Sequence, residues 1–197
     1  MITRQFSLPI ALAAAMIVNS PRFAFAHPGH IGDFHAGWQH PLTGFDHLLA
    51  MVAVGLLAVR VGGRGLWLVP GAFLIAMLVG GLTAGAGWQL PGVEMGIVAS
   101  VIVLGGMIAS AGAAPVWLAT ALVAVFALCH GHAHGAEMTA GGSLATYALG
   151  FLLATAAIHL VGIAAALGLA QFQRSSAARF VGGAIAACGV LMIVGWI

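Results

Sequence analysis

The residues able to do chemistry in this chain are its histidines and its few carboxylates, and they gather in short segments. There are nine His against four Asp and Glu together. One segment reads His40-Pro41-Leu42-Thr43-Gly44-Phe45-Asp46-His47-Leu48-Leu49-Ala50-Met51. On a helix, at about 100° per residue, His40, His47 and Met51 fall near one face, with Asp46 beside them to ligate a metal or to orient an imidazole. A second segment reads Cys129-His130-Gly131-His132-Ala133-His134-Gly135-Ala136-Glu137. If the helix persists past 131, His130, His134 and Glu137 share one helical stripe, while His132 points about 200° away. Two imidazoles and a carboxylate form a donor set suited to a borderline divalent metal. Glu94 opens another apolar stretch. His159 lies in the middle of a later one, with Thr155, four residues earlier, or a backbone carbonyl as its ordinary hydrogen-bond partner. Histidine enrichment also serves proton relays and haem ligation, so these residues read as metal or proton chemistry. Cys129 is a candidate soft ligand. It lies at a different depth from Cys188, which argues against a disulfide.

The elements that must position these groups are membrane helices. The chain is 62% hydrophobic and 5% charged, where soluble domains carry about 25% charged residues. Mean hydropathy is +1.11. So few charges cannot cover a water-soluble fold, which excludes a cytosolic enzyme. A scattered net charge of +2 excludes a nucleic-acid surface. The expected fold is all-α and polytopic, with about six transmembrane helices in a single domain over 27–197. Spans are expected near 42–60, 65–84, 92–111, 114–131, 143–168 and 178–197, with Pro41 suited to the first turn of the first one. Ionisable groups cost about 2.5–3.5 kcal/mol at mid-bilayer, so those retained here need a function or a structural pairing. Many Gly and Ala along the spans are expected to let helices approach closely.

Residues 1–26 read as a cleavable signal peptide, with a retained first membrane helix as the alternative: Arg4, an apolar run over 8–18, and Ala24-Phe25-Ala26 before His27. With the mature N-terminus outside, Arg60, Arg64, Arg174 and Arg179 all fall on the cytoplasmic side. Asp33, Asp46, Glu94 and Glu137 fall on or near the other. This is a positive-inside pattern. It predicts a multi-pass protein of a bacterial inner membrane with a periplasmic mature N-terminus. Cleavage would also give His27 a free amine, able to chelate one metal ion together with its ring. Pro28 lacks the N–H that a square-planar chelate would need. His30, Asp33 and His35 are expected to add ligands in a flexible lead-in.

The first segment resembles the signature of the HupE/UreJ family of nickel/cobalt permeases. The family pattern HPxxGxDHxxAM is met at His40, Pro41, Gly44, Asp46, His47, Ala50 and Met51. Leu90-Pro91 with Glu94 is similar to the family's entry to its third span. His130-Gly131, Ala133-His134-Gly135 and Glu137 resemble its HGxAHGxE stretch. Ala154-Thr155 with His159 and Gly162 resembles its late helix, and His27-Pro28-Gly29-His30 after a signal peptide also fits. The likeness spans nearly the whole chain. It implies a small permease for Ni²⁺, less often Co²⁺, serving hydrogenase or urease assembly. The pathway residues it implies are His40, Asp46, His47, Glu94, His130, His134, Glu137 and His159. His27, His30, Met51 and His132 stand as further candidates, and the family pattern does not place His132.

On this reading the metal is a substrate and no cofactor is held permanently. The other partners are the lipid bilayer and cytoplasmic nickel-handling maturation proteins, with no nucleic acid. Mixed His and carboxylate ligation binds firmly enough to select and loosely enough to release. No nucleotide-binding G-x-x-x-x-G-K-[ST] is present, so energy must come from a gradient or a cytoplasmic metal sink. Two rivals remain at this stage. A haem-ligating membrane oxidoreductase needs two His at matching depth on facing helices. A membrane metal chaperone or sensor binds without flux.

Overall fold

A computed structural model describes residues 30–112, 114–136, 143–171 and 175–195. The expected signal peptide, His27 and Glu137 lie outside them. Among the described residues there are seven α-helices and no strand. They are α1 (His30–Gln39), α2 (Phe45–Val61), α3 (Gly65–Gly85), α4 (Val93–Ala109), α5 (Val116–Ala136), α6 (Leu144–Gln171) and α7 (Ser175–Ile193), with a 3-10 turn at His40–Leu42 between α1 and α2.

The chain is a polytopic α-helical membrane protein. The helices α3, α5, α6 and α7 are each long and apolar enough to cross a bilayer. The bent pair 33–42 and Phe45–Val61 passes the same test jointly, and α4 is a shorter apolar helix. The outward surface fits the same environment. Trp67 and Trp117 are exposed at the end that carries the arginines, and Trp88 at the opposite end, as amphipathic rings sit at bilayer interfaces.

The helix α2 is the hub. It packs against α3, α4, α5, α6 and α7, and Ala50, Met51, Ala53, Val54, Leu57 and Ala58 along it are fully buried. Gly62 and Gly63 terminate it with φ of 69° and 50°, a backbone that glycine adopts without steric cost. Backbone-to-backbone crossings hold the other helices to it and to one another. A side chain at Gly131 in α5 would meet the backbone of Met77 in α3, and one at Gly55 in α2 would meet the carbonyl of His159 in α6. Lipid provides no hydrophobic drive between helices, so close contact through small residues carries the packing.

The end of the bundle opposite the histidines is tied by arginines. Arg60 Nη2 donates to the carbonyls of Ser110 and Gly112, and Arg179 Nε donates to that of Ala109 at 3.0 Å. Carbonyls at a helix C-terminus have no intrahelical partners and carry negative partial charge. Two guanidinium groups therefore close α4 and hold the ends of α2, α4 and α7 at one level.

Three features differ from the sequence expectation. The lead-in is not a loose tail from His30 onward: α1 packs along α6. The Asp33 carboxylate accepts the Ser143 backbone N–H at 2.7 Å, ahead of α6. The first expected span is not one continuous helix through His40, because a bend of 79° separates α1 and the 3-10 turn from α2. Pro41 removes one backbone donor there. The Thr43 hydroxyl and N–H both go to the His40 carbonyl, at 2.7 and 3.1 Å, and Gly44 is extended. Finally, α5 stays helical through Ala136 rather than ending near 131, so His130, His132 and His134 all lie on one helix.

Candidate functional site

Four imidazoles meet where α2 begins and α5 ends. His40 comes from the 3-10 turn, His47 from the first turn of α2, and His130 and His134 from successive turns of α5. Their ring centroids lie 4.5 Å apart for His40 and His134, 4.4 Å for His134 and His47, and 4.7 Å for His47 and His130. His47, His130 and His134 are all buried. The expected stripe on α5 is therefore present for His130 and His134, while its third member, Glu137, lies outside the described residues. The bend at residues 43–44, rather than a continuous α2, delivers His40 to it.

Hydrogen bonds fix which nitrogen of two of these rings is free. Asp46 Oδ1 accepts the backbone N–H of His47 at 2.8 Å and lies 2.8 Å from His47 Nδ1. A carboxylate accepts, so Nδ1 carries the proton and the neutral ring leaves its lone pair on Nε2. That atom is buried without a hydrogen bond. The Ser100 hydroxyl donates to the Ile97 carbonyl at 2.6 Å. Its one proton being used, it accepts from His130 Nε2 at 3.0 Å. The lone pair of His130 then resides on Nδ1, also buried without a partner. Two adjoining imidazoles thus each keep a donor nitrogen for a ligand, and each is oriented through its other nitrogen, as metal-ligating histidines are.

Gly44 makes this geometry possible. A Cβ there would lie 2.9 Å from His47 Nδ1 and 3.0 Å from Asp46 Oδ1, crowding the pair.

An aromatic ring adjoins the cluster. Phe73 of α3 is fully buried. Its centroid lies 5.6 Å from that of His130 and 5.0 Å, edge to face, from that of His159 on α6. Both ring nitrogens of His159 are buried without a hydrogen bond. Neither ordinary partner expected for it is used: no backbone carbonyl accepts from the ring, and Thr155 Oγ1 faces Met77 Sδ at 3.9 Å.

The other candidates lie apart from the four rings. His132 does point away, and its Nε2 accepts the Leu90 N–H at 3.3 Å, joining α5 to the loop before α4. Glu94 is exposed in the first turn of α4. Met51 is in the apolar core, and His30 opens α1. Cys129 faces Gly96 of α4, and both cysteines are free. Among the described residues no three His, Cys, Asp or Glu form a ready-made metal cage. Ser100, Phe73 and the ring pair Tyr147 and Phe151 beside His40 were not singled out in the sequence. A lone Ser and scattered aromatics in apolar spans carry no signal of their own.

A polytopic helical membrane protein with a buried imidazole cluster at one end, oriented by a carboxylate and a hydroxyl, is the class these features define. A family model described as HupE / UreJ protein matches residues 13–192. The chain belongs to that family. It is 42% identical over 180 residues to Protein HupE of Rhizobium leguminosarum bv. viciae, covering 89% of this chain and 92% of that one. No solved structure matches.

Proposed function

We propose that this protein is a secondary permease that carries Ni²⁺, or Co²⁺, from the periplasm to the cytoplasm and so supplies hydrogenase or urease maturation. It is a transporter rather than an enzyme. The observation that carries the reading is the run of imidazoles from His40 through His134 and His47 to His130, with free donor nitrogens on His47 and His130. A buried, unpaired donor costs free energy unless a ligand uses it, and imidazole suits Ni²⁺ and Co²⁺.

In this reading α2 to α7 are six spans of an inner-membrane protein with both ends periplasmic and Arg60, Arg64 and Arg179 at the cytoplasmic face. Glu94, exposed in the first turn of α4, draws hydrated cations to the mouth. The ion then exchanges water for the nitrogens of His47 and His130, and moves on to His159. The haem alternative is disfavoured because the rings of His47 and His130 touch, leaving no room for a macrocycle between them.

The test is uptake of radiolabelled Ni²⁺ into proteoliposomes, competed with Co²⁺, Zn²⁺ and Cu²⁺. Saturable uptake suppressed by Co²⁺ supports the permease. Binding without flux identifies a chaperone or sensor instead, and visible haem absorbance of the purified protein would overturn both.

A further inference from the structure

We propose that Phe73 is the gate of the pathway, a single aromatic ring that separates the outer imidazole cluster from an inner station at His159. The inference rests on the permease reading and adds to it the residue that controls passage. His130 and His159 make no ring contact with each other, yet each touches Phe73, at 5.6 and 5.0 Å between centroids. Phe73 is fully buried and offers no donor atom. On its outer side His130 holds a free Nδ1, and on its inner side His159 holds two nitrogens without hydrogen bonds. Met77 and Thr155, one turn outward of Phe73 on α3 and of His159 on α6, face one another on the outer side of this level.

A benzene ring at this place does two things. It is a hydrophobic constriction, which excludes water and hydrated ions. Its face also attracts a cation that has shed water onto imidazole. Passage from His130 to His159 then needs only a rotation of the Phe73 side chain, and the closed rotamer prevents a continuous water column between the two membrane faces. Pro70, one turn earlier, removes an intrahelical hydrogen bond from α3 and leaves this part of the helix easier to flex.

The experiment compares the full-length protein with Phe73→Ala, Phe73→Leu and Phe73→Trp in proteoliposomes. Two quantities are read: initial Ni²⁺ uptake, and Ni²⁺ binding to the detergent-solubilised protein by calorimetry. A gate predicts uptake ordered by side-chain size. Phe73→Ala should be several-fold faster than the parent and less selective against Zn²⁺, Phe73→Leu intermediate, and Phe73→Trp slower by about tenfold. Binding should change far less than uptake, because Asp46 and Ser100, which orient the metal-binding nitrogens of His47 and His130, are kept. A structural role would instead lower binding and uptake together, and that result overturns the gate. Equal uptake across the series overturns it as well while leaving the permease intact. Should Phe73→Trp fail to insert, the order of Ala, Leu and Phe decides. Absence of flux in the parent overturns the permease reading, and the gate with it.

Discussion

Asp46 Oδ1 holds both the backbone N–H and the ring Nδ1 of His47, each at 2.8 Å. A carboxylate adjacent in sequence thus sets the tautomer and the direction of the imidazole that touches both His130 and His134.

It follows that Asp46 and His47 fail in different ways when altered. His47→Ala removes the donor and should abolish Ni²⁺ uptake. Asp46→Asn keeps the shape but no longer demands the Nδ1 proton, and should weaken Ni²⁺ binding by about 10–100-fold, the usual effect of losing such an orienting partner. Both variants should insert normally. Calorimetric binding and proteoliposome uptake at matched protein levels check this, and wild-type values for either variant would remove the pair from the site.

Ser100 gives the corresponding prediction for His130. With Ser100→Ala, His130 Nε2 loses its acceptor at a fully buried position. The free lone pair no longer has a fixed nitrogen, so Ni²⁺ affinity should fall by about tenfold. Ser100→Thr retains the hydroxyl and should recover most of the loss, whereas a merely steric role for Ser100 would make the larger threonine the worse variant.

The contrast within α5 is sharper still. His130→Ala and His134→Ala should cripple uptake, whereas His132→Ala should reduce it only mildly, because its Nε2 serves the Leu90 N–H outside the cluster. Uptake rates of the three single variants decide it. Equal losses would mean that His132 reaches the metal path.

These relationships show what could be read in the chain beforehand. The apolar stretches and their Gly, Pro and Arg punctuation revealed α2 to α7. The spacing of His130 and His134 placed them on one stripe with His132 off it, because helical periodicity is a local property. The bend at Thr43 and Gly44 was hidden, since Pro41 fits the first turn of a straight helix equally well. The helix α1 was hidden because docking on α6, including Asp33 on the Ser143 N–H, is a tertiary matter. Ser100 and Phe73 acquire their roles only through partners on other helices. No spacing rule reaches across from residue 73 to both 130 and 159.

Packing and chemistry meet at Gly55, where the last prediction lies. The carbonyl of His159 occupies the space a side chain at Gly55 would fill, and Gly162 of α6 is fitted in the same way against Val52. This crossing sets how far His159 stands from the hub helix. The neighbours are backbone atoms, which cannot rotate aside as a side chain would. Gly55→Leu should therefore force α2 and α6 apart, at a cost of about 1–3 kcal/mol or more, as overpacking of a filled core does. The helices would separate at the level of His159, while His40, His47, His130 and His134 lie nearer the outer end. The expected result is a lowered melting temperature and strongly reduced uptake, with Ni²⁺ binding to the outer imidazoles largely retained. Gly71→Ala is the control, since a Cβ there meets nothing within 4 Å; it should leave all three measurements near those of the parent. If Gly55→Leu melts and transports like the parent, the crossing does not position His159, and the inner station loses its structural basis.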